Sequence, residues 1–303
     1  MGFKKHAKNR QLKIQLDVDT QLAMHYQEWG EKDNPEVLIC VHGLTRNGHD
    51  FDFLAKHLAK DFRIICPDIW GRGQSEWLPT SQTYGYPIYL QQIKALLDKL
   101  ELRQVNWLGT SMGGLIGLML AAESPELIKR MVLNDIGQTV PLKGLQSIAD
   151  YLGKQMTFDD MNALESYLRQ TYQGFGKLAD KHWQHLATYA AFTNQQDQLQ
   201  LTYDPRIAEQ FNIDLTTLER DIDLTALWQA YHGSALILRG EDSELLTSTC
   251  AEEMSQKPNS KLIEFENTGH APALMKKKQI ELVRDFLFSR SHGAKKETIA
   301  EAG

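Results

Sequence analysis

The pentapeptide at residues 109–113 constrains the fold of this chain more than any other feature of its sequence. It reads Gly-Thr-Ser-Met-Gly and lies directly between an apolar run at 104–108 and a helical run at 112–122. A strand that turns at once into a helix forces the central residue to a positive φ, and only glycine at the flanking positions avoids a collision. We therefore predict that the hydroxyl of Ser111 projects from the carboxyl end of a strand, as in a G-x-S-x-G turn.

Strand and helix patterns alternate through the first 135 residues, which predicts an α/β fold with a mostly parallel sheet and helices on both faces. Between 137 and 232 the patterns are helical without a convincing apolar strand, and the alternation then resumes. We predict a core domain from residues 1–136 and 233–290, a helical cap (lid) over 137–232, and a disordered tail over 291–303. Strands are expected at 13–18, 22–29, 36–41, 63–67, 104–108, 130–134, 235–239 and 261–266. Core helices are expected at 51–60, 87–100, 112–122, 247–256 and 274–290.

Composition excludes several classes of protein. The 303 residues are 42% hydrophobic and 24% charged, with a net charge of -6, so neither a disordered chain nor a nucleic-acid surface is expected. No window approaches 18 consecutive apolar residues and no secretory segment is evident, so we expect no membrane span. The three widely spaced cysteines suit a reducing compartment better than a disulfide set. A cytoplasmic protein, monomeric or homodimeric, is the expectation.

A serine hydroxyl is a weak nucleophile until a base accepts its proton, and that base needs a carboxylate to fix its tautomer. Of the ten histidines, His270 is the candidate base because it lies in a turn just beyond the last predicted strand. Asp242 is the favoured acid, since it follows the strand at 235–239 and gives the chain order Ser, Asp, His. Asp135, at the end of the strand at 130–134, is the alternative. His182 and His185 read as a surface pair, and no metal site is expected.

Two backbone N–H groups are candidates for an oxyanion hole. Met112 begins the helix after Ser111, and Leu44 follows His42 and Gly43 in the loop after the strand at 36–41. Glycine at 43 permits an unusual turn there. We expect His42 itself to be structural, bonding to nearby backbone.

These motifs together resemble the α/β-hydrolase superfamily across nearly the whole chain. The resemblance is carried by His-Gly at 42–43, Pro-Asp-Ile-Trp-Gly-Arg-Gly-Gln-Ser at 67–75, Gly-Thr-Ser-Met-Gly-Gly at 109–114, Asp242, and Gly-His at 269–270. It implies an eight-stranded, mostly parallel sheet, a helical cap inserted after the sixth strand, and no cofactor. The fold alone does not name a substrate, because one fold hosts many chemistries.

Differences between these motifs and those of particular branches of the family reduce the number of candidate reactions. Serine at 111 disfavours dehalogenases and epoxide hydrolases, whose nucleophile is aspartate. The Ser-Met-Gly-Gly turn is similar to that of carboxylesterases, enol-lactonases and carbon-carbon bond hydrolases of ring-fission products. The last group usually has Gly-Pro-Gly after His-Gly and a tryptophan after the histidine, whereas this chain has Leu-Thr-Arg-Asn-Gly at 44–48 and Ala-Pro at 271–272. We therefore predict a serine hydrolase of a small ester or lactone that forms an acyl-enzyme.

Two other interpretations stay open: carbon-carbon hydrolysis, and a ligand receptor that keeps the scaffold without turnover. The predicted partner is a small ester-like molecule. Arg46 is a possible contact for a substrate carboxylate or a member of a loop salt bridge. Trp183 and Trp228 in the cap are possible substrate contacts, although aromatics at helical spacing more often form the core of a helical segment.

Overall fold

The computed structural model describes residues 7–154, 156–288 and 296–300. Within them, the strands are β1 (Lys8–Gln15), β2 (Gln21–Trp29), β3 (Val37–Val41), β4 (Arg63–Pro67), β5 (Val105–Thr110), β6 (Ile128–Asn134), β7 (Thr139–Val140), β8 (Thr157–Phe158), β9 (Ala191–Thr193), β10 (Leu199–Leu201), β11 (Ile222–Asp223), β12 (Ser234–Gly240), β13 (Ser260–Phe265) and β14 (Lys296–Ile299). The helices are α1 (Asp52–Leu58), α2 (Tyr86–Lys99), α3 (Met112–Glu123), α4 (Leu142–Ala149), α5 (Met161–Thr171), α6 (Asp180–Ala190), α7 (Arg206–Thr216), α8 (Thr225–Ala230), α9 (Ser248–Ser255) and α10 (Lys277–Phe288). Single 3₁₀ turns occur at Gly48–Phe51 and Gln173–Phe175.

A large sheet organises the molecule. Over the described residues its strand order is β1-β2-β4-β3-β5-β6-β12-β13-β14. The pairs β1–β2 and β2–β4 are antiparallel, and the remaining pairs from β4 to β14 are parallel. Consecutive parallel strands bring their carboxyl ends to one edge, where the loops after β3, β5, β6, β12 and β13 meet. That edge holds the candidate residues.

Both faces of the sheet are covered by helices, because neighbouring residues of a strand point to opposite faces. In β3, Ile39 belongs to a buried cluster with Leu96 of α2 and Ile116 of α3. The next residue, Cys40, belongs to a second buried cluster that includes residues of α1 and α10. The predicted α/β architecture with helices on both faces is confirmed.

The segment between β6 and β12, residues 135–233, contains α4 to α8 and the short strands β7 to β11. It bonds to loops at the carboxyl edge of the sheet: Asn47 Nδ2 donates to Tyr189 O at 2.8 Å, and Gly269 N donates to Gly174 O at 2.8 Å. The strands form a three-stranded and a two-stranded sheet. The expectation of a strand-free segment is wrong, because strands of two or three residues are too short to produce an alternating pattern.

The far edge of the main sheet also differs from expectation. The expected number of eight strands is wrong: within the described part of the chain the main sheet has nine strands, because β14 adds to the edge beside β13. Disorder was expected over 291–303, but residues 296–299 pair in parallel with β13, and Lys296 Nζ lies 2.6 Å from a carboxylate oxygen of Glu264. Residues 291–295 and 301–303 lie outside the described residues. No helix in the described ranges is long and apolar enough to cross a bilayer.

Candidate active site

Ser111 lies between β5 and α3 and has φ 51° and ψ -115°, which confirms the strained turn predicted from the sequence. The glycines on either side permit this backbone. A Cβ added to Gly109 would collide with the backbone of Gly113, and a Cβ added to Gly113 would collide with the carbonyl of Val41. The turn therefore requires glycine at both positions and holds the Ser111 side chain at the carboxyl edge of the sheet.

His270, beyond β13, completes a hydrogen-bonded chain with Ser111. Its Nε2 lies 3.0 Å from Ser111 Oγ, and its Nδ1 lies 2.7 Å from Asp135 Oδ2. An ionised carboxylate accepts hydrogen bonds and donates none, so Nδ1 carries the proton toward Asp135. Nε2 is then the free acceptor that faces the serine hydroxyl. The geometry is that of a serine activated by a base and a carboxylate that orients the base.

The prediction that Asp242 lies against His270 is wrong, since the alternative, Asp135, occupies that position. Asp135 directly follows β6 and is fully buried, whereas Asp242 is exposed in the loop after β12. The end of β12 and the loop after it instead supply donors to Asp135: Gly240 N at 3.0 Å and Ser243 Oγ at 2.5 Å. Strands β6 and β12 are neighbours, so both acids follow strands that end near the same place. The sequence pattern does not fix which acid turns inward.

The two predicted oxyanion donors lie next to Ser111. Met112 is the first residue of α3, so its N–H has no partner within the helix. Leu44 lies on the loop after β3, where a Cβ on the adjacent Gly43 would lie 3.9 Å from the Ser111 Cβ. Leu44, Ser111 and Met112 line one cavity. These positions fit donors aimed at one oxygen, and their role in catalysis stays a prediction.

His42 holds the loop that carries Leu44, as expected for a structural histidine. Its Nδ1 donates to Gly43 O at 2.7 Å, and its Nε2 accepts from Ile69 N at 3.0 Å. Burial lowers the pKa of His42 to about 4, although Asp68 opposes this shift. The ring is therefore neutral near pH 7 and can accept the Ile69 amide proton.

Two cavities meet at Ser111. One, of about 340 Å³, is lined mainly by apolar side chains, among them Leu115 and Met119 of α3 and Phe211 and Leu215 of α7. The other, of about 50 Å³, is lined by His270 and by residues of the loop after β3. Tyr172 lies in this second cavity, and its hydroxyl is 2.9 Å from Thr45 Oγ1. Sequence patterns single out neither Tyr172 nor the α7 residues, because their placement depends on how the segment 135–233 folds over the sheet.

Of the three residues predicted as possible substrate contacts, one lines a cavity at Ser111 and two do not. Arg46 lines the small cavity, but it is buried and its guanidinium binds Asp50, with the closest contact at 2.6 Å and Tyr172 beneath it at 5.0 Å. Trp183 and Trp228 are buried in the segment 135–233, against Arg169 and Lys257 respectively. Neither lines a cavity at Ser111. The prediction that they contact substrate is therefore wrong, since each amphipathic helix buries its aromatic face.

The histidine pair of α6 makes protein contacts. His185 Nε2 lies 3.0 Å from His49 O, and the ring of His182 packs edge-on against Phe53 at 4.9 Å. Over the residues described, no group of three or more His, Cys, Asp or Glu side chains is arranged to hold a metal ion.

The model of the alpha/beta hydrolase fold family matches residues 36–276. The chain belongs to the α/β-hydrolase family. A 3-hydroxybutyrate-oligomer hydrolase from Cupriavidus necator is 36% identical over 270 residues, which cover 87% of this chain and 92% of that protein. An alpha/beta hydrolase from Novosphingobium aromaticivorans has a solved structure with TM-score 0.83 and 31% identity, covering 93% of this chain and 98% of that one.

A shorter match within the family is to a hydrolase with a different name. A 2-hydroxymuconate semialdehyde hydrolase from Pseudomonas sp. is 38% identical over 96 residues, which cover 31% of this α/β-hydrolase chain and 34% of that protein. The comparisons support a hydrolase of this superfamily.

Proposed function

We propose that this α/β-hydrolase cleaves a small carboxylic ester or lactone through an acyl-enzyme on Ser111. The observation that carries the proposal is the chain of contacts from Ser111 Oγ to His270 Nε2 at 3.0 Å and from His270 Nδ1 to Asp135 Oδ2 at 2.7 Å. A buried carboxylate that accepts from the imidazole favours the imidazolium formed when the serine proton is taken. No cofactor enters this reaction.

The reaction has two balanced halves. Ser111 Oγ forms a bond to the carbonyl carbon as its proton passes to His270, and the carbonyl oxygen becomes an oxyanion facing the N–H groups of Leu44 and Met112. Collapse breaks the bond to the alcohol oxygen, which takes the proton from His270 Nε2 and departs. Water then gives a proton to His270, attacks the acyl carbon and releases the acid, and Ser111 regains its proton.

The substrate class rests on similarity as well as geometry. The relative from Cupriavidus necator acts, by its name, on oligomers of 3-hydroxybutyrate, and it matches nearly the whole chain. Short oligoesters of hydroxy acids are small esters that suit the reaction above. The cytoplasmic location and the monomeric or homodimeric state remain predictions.

Carbon-carbon hydrolysis is the second candidate, favoured by the partial match to the 2-hydroxymuconate semialdehyde hydrolase. Both reactions use an activated serine, so substrate assays separate them. A 2-hydroxy-6-oxo-dienoate ring-fission product and p-nitrophenyl butyrate should be compared at equal enzyme concentration. Turnover of the dienoate with no turnover of the butyrate would replace the ester proposal.

The nucleophile is tested with Ser111→Ala. We expect kcat on p-nitrophenyl butyrate to fall about 10⁴- to 10⁶-fold, because removing a nucleophile of this kind costs that much in a serine hydrolase. A fluorophosphonate probe should label the unaltered protein at Ser111 and fail to label the variant. Equal rates for the two proteins would contradict the proposed function.

A further inference from the structure

We propose that the substrate extends to both sides of Ser111: an uncharged, medium-length acyl chain enters the 340 Å³ apolar cavity, and the alcohol departs past His270 by way of the small cavity and the groove of about 420 Å³ beside it. This inference rests on the proposed ester hydrolysis and assigns its substrate class. The inference concerns the class of ester and does not name the particular ester that is the substrate in the cell.

The direction of the alcohol follows from the proton that it must receive. His270 Nε2 is the group that protonates the leaving oxygen, so that oxygen must come within hydrogen-bond distance of the imidazole. His270 lines the small cavity, together with Tyr151 and Tyr172. The same imidazole also borders a wider groove of about 420 Å³ that contains the exposed Asp242, so an alcohol leaving past Tyr151 reaches open polar surface.

The acyl chain must then extend on the other side of Ser111. The large cavity begins at Leu44, Ser111 and Met112 and continues between α3 and α7, and His270 does not line it. Leu115, Met119, Phe211 and Leu215 are half-buried, and their side chains line this space. An apolar chain entering the cavity removes these surfaces from water.

The cavity also selects against charge. The described residues that line it include no lysine, arginine or histidine, and they include the carboxylate of Asp214 on α7. A carboxylate at the far end of an acyl chain would lose water there without gaining a cation. Arg46 lies in the small cavity on the opposite side of Ser111, where Asp50 already binds it.

The cavity, of about 340 Å³, has room for more than a short acetyl group, so we expect the benefit of a longer acyl chain to continue to chains of medium length. Each methylene buried is worth about a fourfold gain in kcat/KM. We therefore expect kcat/KM for p-nitrophenyl esters to rise about fourfold per methylene from acetate to hexanoate. The p-nitrophenyl monoester of adipate should react at least about 100-fold more slowly than the hexanoate ester.

The experiment uses Leu215→Trp, which fills the cavity from α7. We expect the ratio of kcat/KM for octanoate over acetate to fall at least tenfold, since the long chain loses its space. Leu215→Ala keeps the test valid if tryptophan disturbs folding: it should move the optimum to longer acyl chains. The matched control is Ile213→Trp, on the same helix but 59% exposed and outside the cavity, which should leave the ratio unchanged.

A second series holds the acyl group at butyrate and lengthens the alcohol from ethyl to octyl. If Leu215→Trp changes the alcohol dependence and not the acyl dependence, the assignment of the two sides is reversed and overturned. A flat acyl series, with Ser111 still labelled by a fluorophosphonate, overturns the inference and leaves the proposed function standing. If no ester is cleaved and no label is incorporated, both proposals fail.

Discussion

Two of the histidine–aspartate pairs formed by the described residues have fully buried carboxylates and nearly equal geometry, and they lie in different regions. In one, His270 Nδ1 lies 2.7 Å from Asp135, and in the other, His25 Nδ1 lies 2.8 Å from Asp68. Both carboxylates are buried. The difference is at the second ring nitrogen: His270 Nε2 faces Ser111 Oγ, whereas His25 Nε2 is buried and has no hydrogen-bond partner among the described residues.

The two carboxylates also differ in the groups that donate hydrogen bonds to them. Asp68 also accepts from Gly48 N at 2.7 Å and from Gln74 N at 2.9 Å, so it joins β2 to the loops after β3 and β4. Asp135 is held by the loop after β12 and leaves its imidazole partly exposed to the small cavity. A short histidine–aspartate bond therefore does not mark an active site by itself. In the proposed mechanism, the feature that distinguishes His270 is an accessible second nitrogen beside the hydroxyl of Ser111.

Among the variants that test this comparison, Asp135→Asn should have the largest effect. We expect kcat on p-nitrophenyl butyrate to fall about 10⁴-fold, because an amide would hold the imidazole in the wrong tautomer, as the same substitution does in serine proteases. Steady-state kinetics and a thermal unfolding curve on the same preparation separate lost chemistry from lost fold. The matched control is Asp242→Asn, which should change kcat less than threefold. A larger loss in Asp242→Asn than in Asp135→Asn would return the acid role to the loop after β12.

Asp68→Asn should give the opposite result, a stability loss with little change in chemistry. The substitution weakens the hydrogen bond from His25. It also places an amide NH₂ group against one of the backbone N–H groups that donate to Asp68, so that this N–H loses its acceptor. Together these changes should lower the free energy of unfolding by about 2–4 kcal/mol. Urea unfolding at pH 7 measures the change, and kcat of the folded enzyme should stay within threefold. The exposed Asp98→Asn is the control and should unfold like the unaltered protein. A hundredfold loss of kcat in Asp68→Asn at unchanged stability would mean that both pairs act in catalysis, and it would contradict the distinction between them.

A further expected effect is on the pH dependence of stability. The folded pKa of His42 is about 4, against about 6.5 in an unfolded chain, so the unfolded state binds more protons between these values. The free energy of unfolding should therefore fall as the pH drops from 6.5 to 4, by up to about 1.4 kcal/mol per pH unit. Urea unfolding across this range in His42→Gln should show a shallower fall than in the control, His232→Gln, whose histidine is exposed.

Asp68 extends that comparison to lower pH. Burial would raise the pKa of this carboxyl, but its bonds from His25 and Gln74 N outweigh the effect and lower it. Its contribution to stability is thus present above about pH 3.9 and is lost as the pH falls through the lower folded value. Asp68→Asn should remove this acid-side loss. A steep loss below pH 4 that persists in the variant would assign it to other groups.

Much of the main sheet is predictable from sequence because its strands are apolar and bounded by turns. The strand at 63–67 has the predicted bounds, and Ser111 has the predicted backbone. The first strand is displaced, from 13–18 to Lys8–Gln15, because its polar, exposed residues are held by antiparallel pairing with β2 rather than by burial. Pairing with the next strand leaves no periodic signal within the segment itself.

The candidate site likewise contains residues that the sequence predicts and residues that it does not. Ser111 and His270 are predictable because a local turn places each at the sheet edge. The acid is not, since Asp135 and Asp242 follow neighbouring strands, and the choice depends on a backbone of φ 57° at Asp135 and on donors from residues 240 and 243. The substrate cavity is the least predictable part, because its α7 wall is brought to Ser111 by the folding of more than sixty residues after Asp135.

The position of Asp135 affects how this protein can be recombined with its relatives. It is the first residue after β6, at the point where the chain leaves the main sheet, and residues 240 and 243 hold it from the point where the chain has returned. A chimera that exchanges the intervening segment should therefore join after Ile136 and before Ser234. Joints placed there would introduce a different wall for the substrate cavity and would leave Ser111, Asp135 and His270 in their native surroundings on the main sheet.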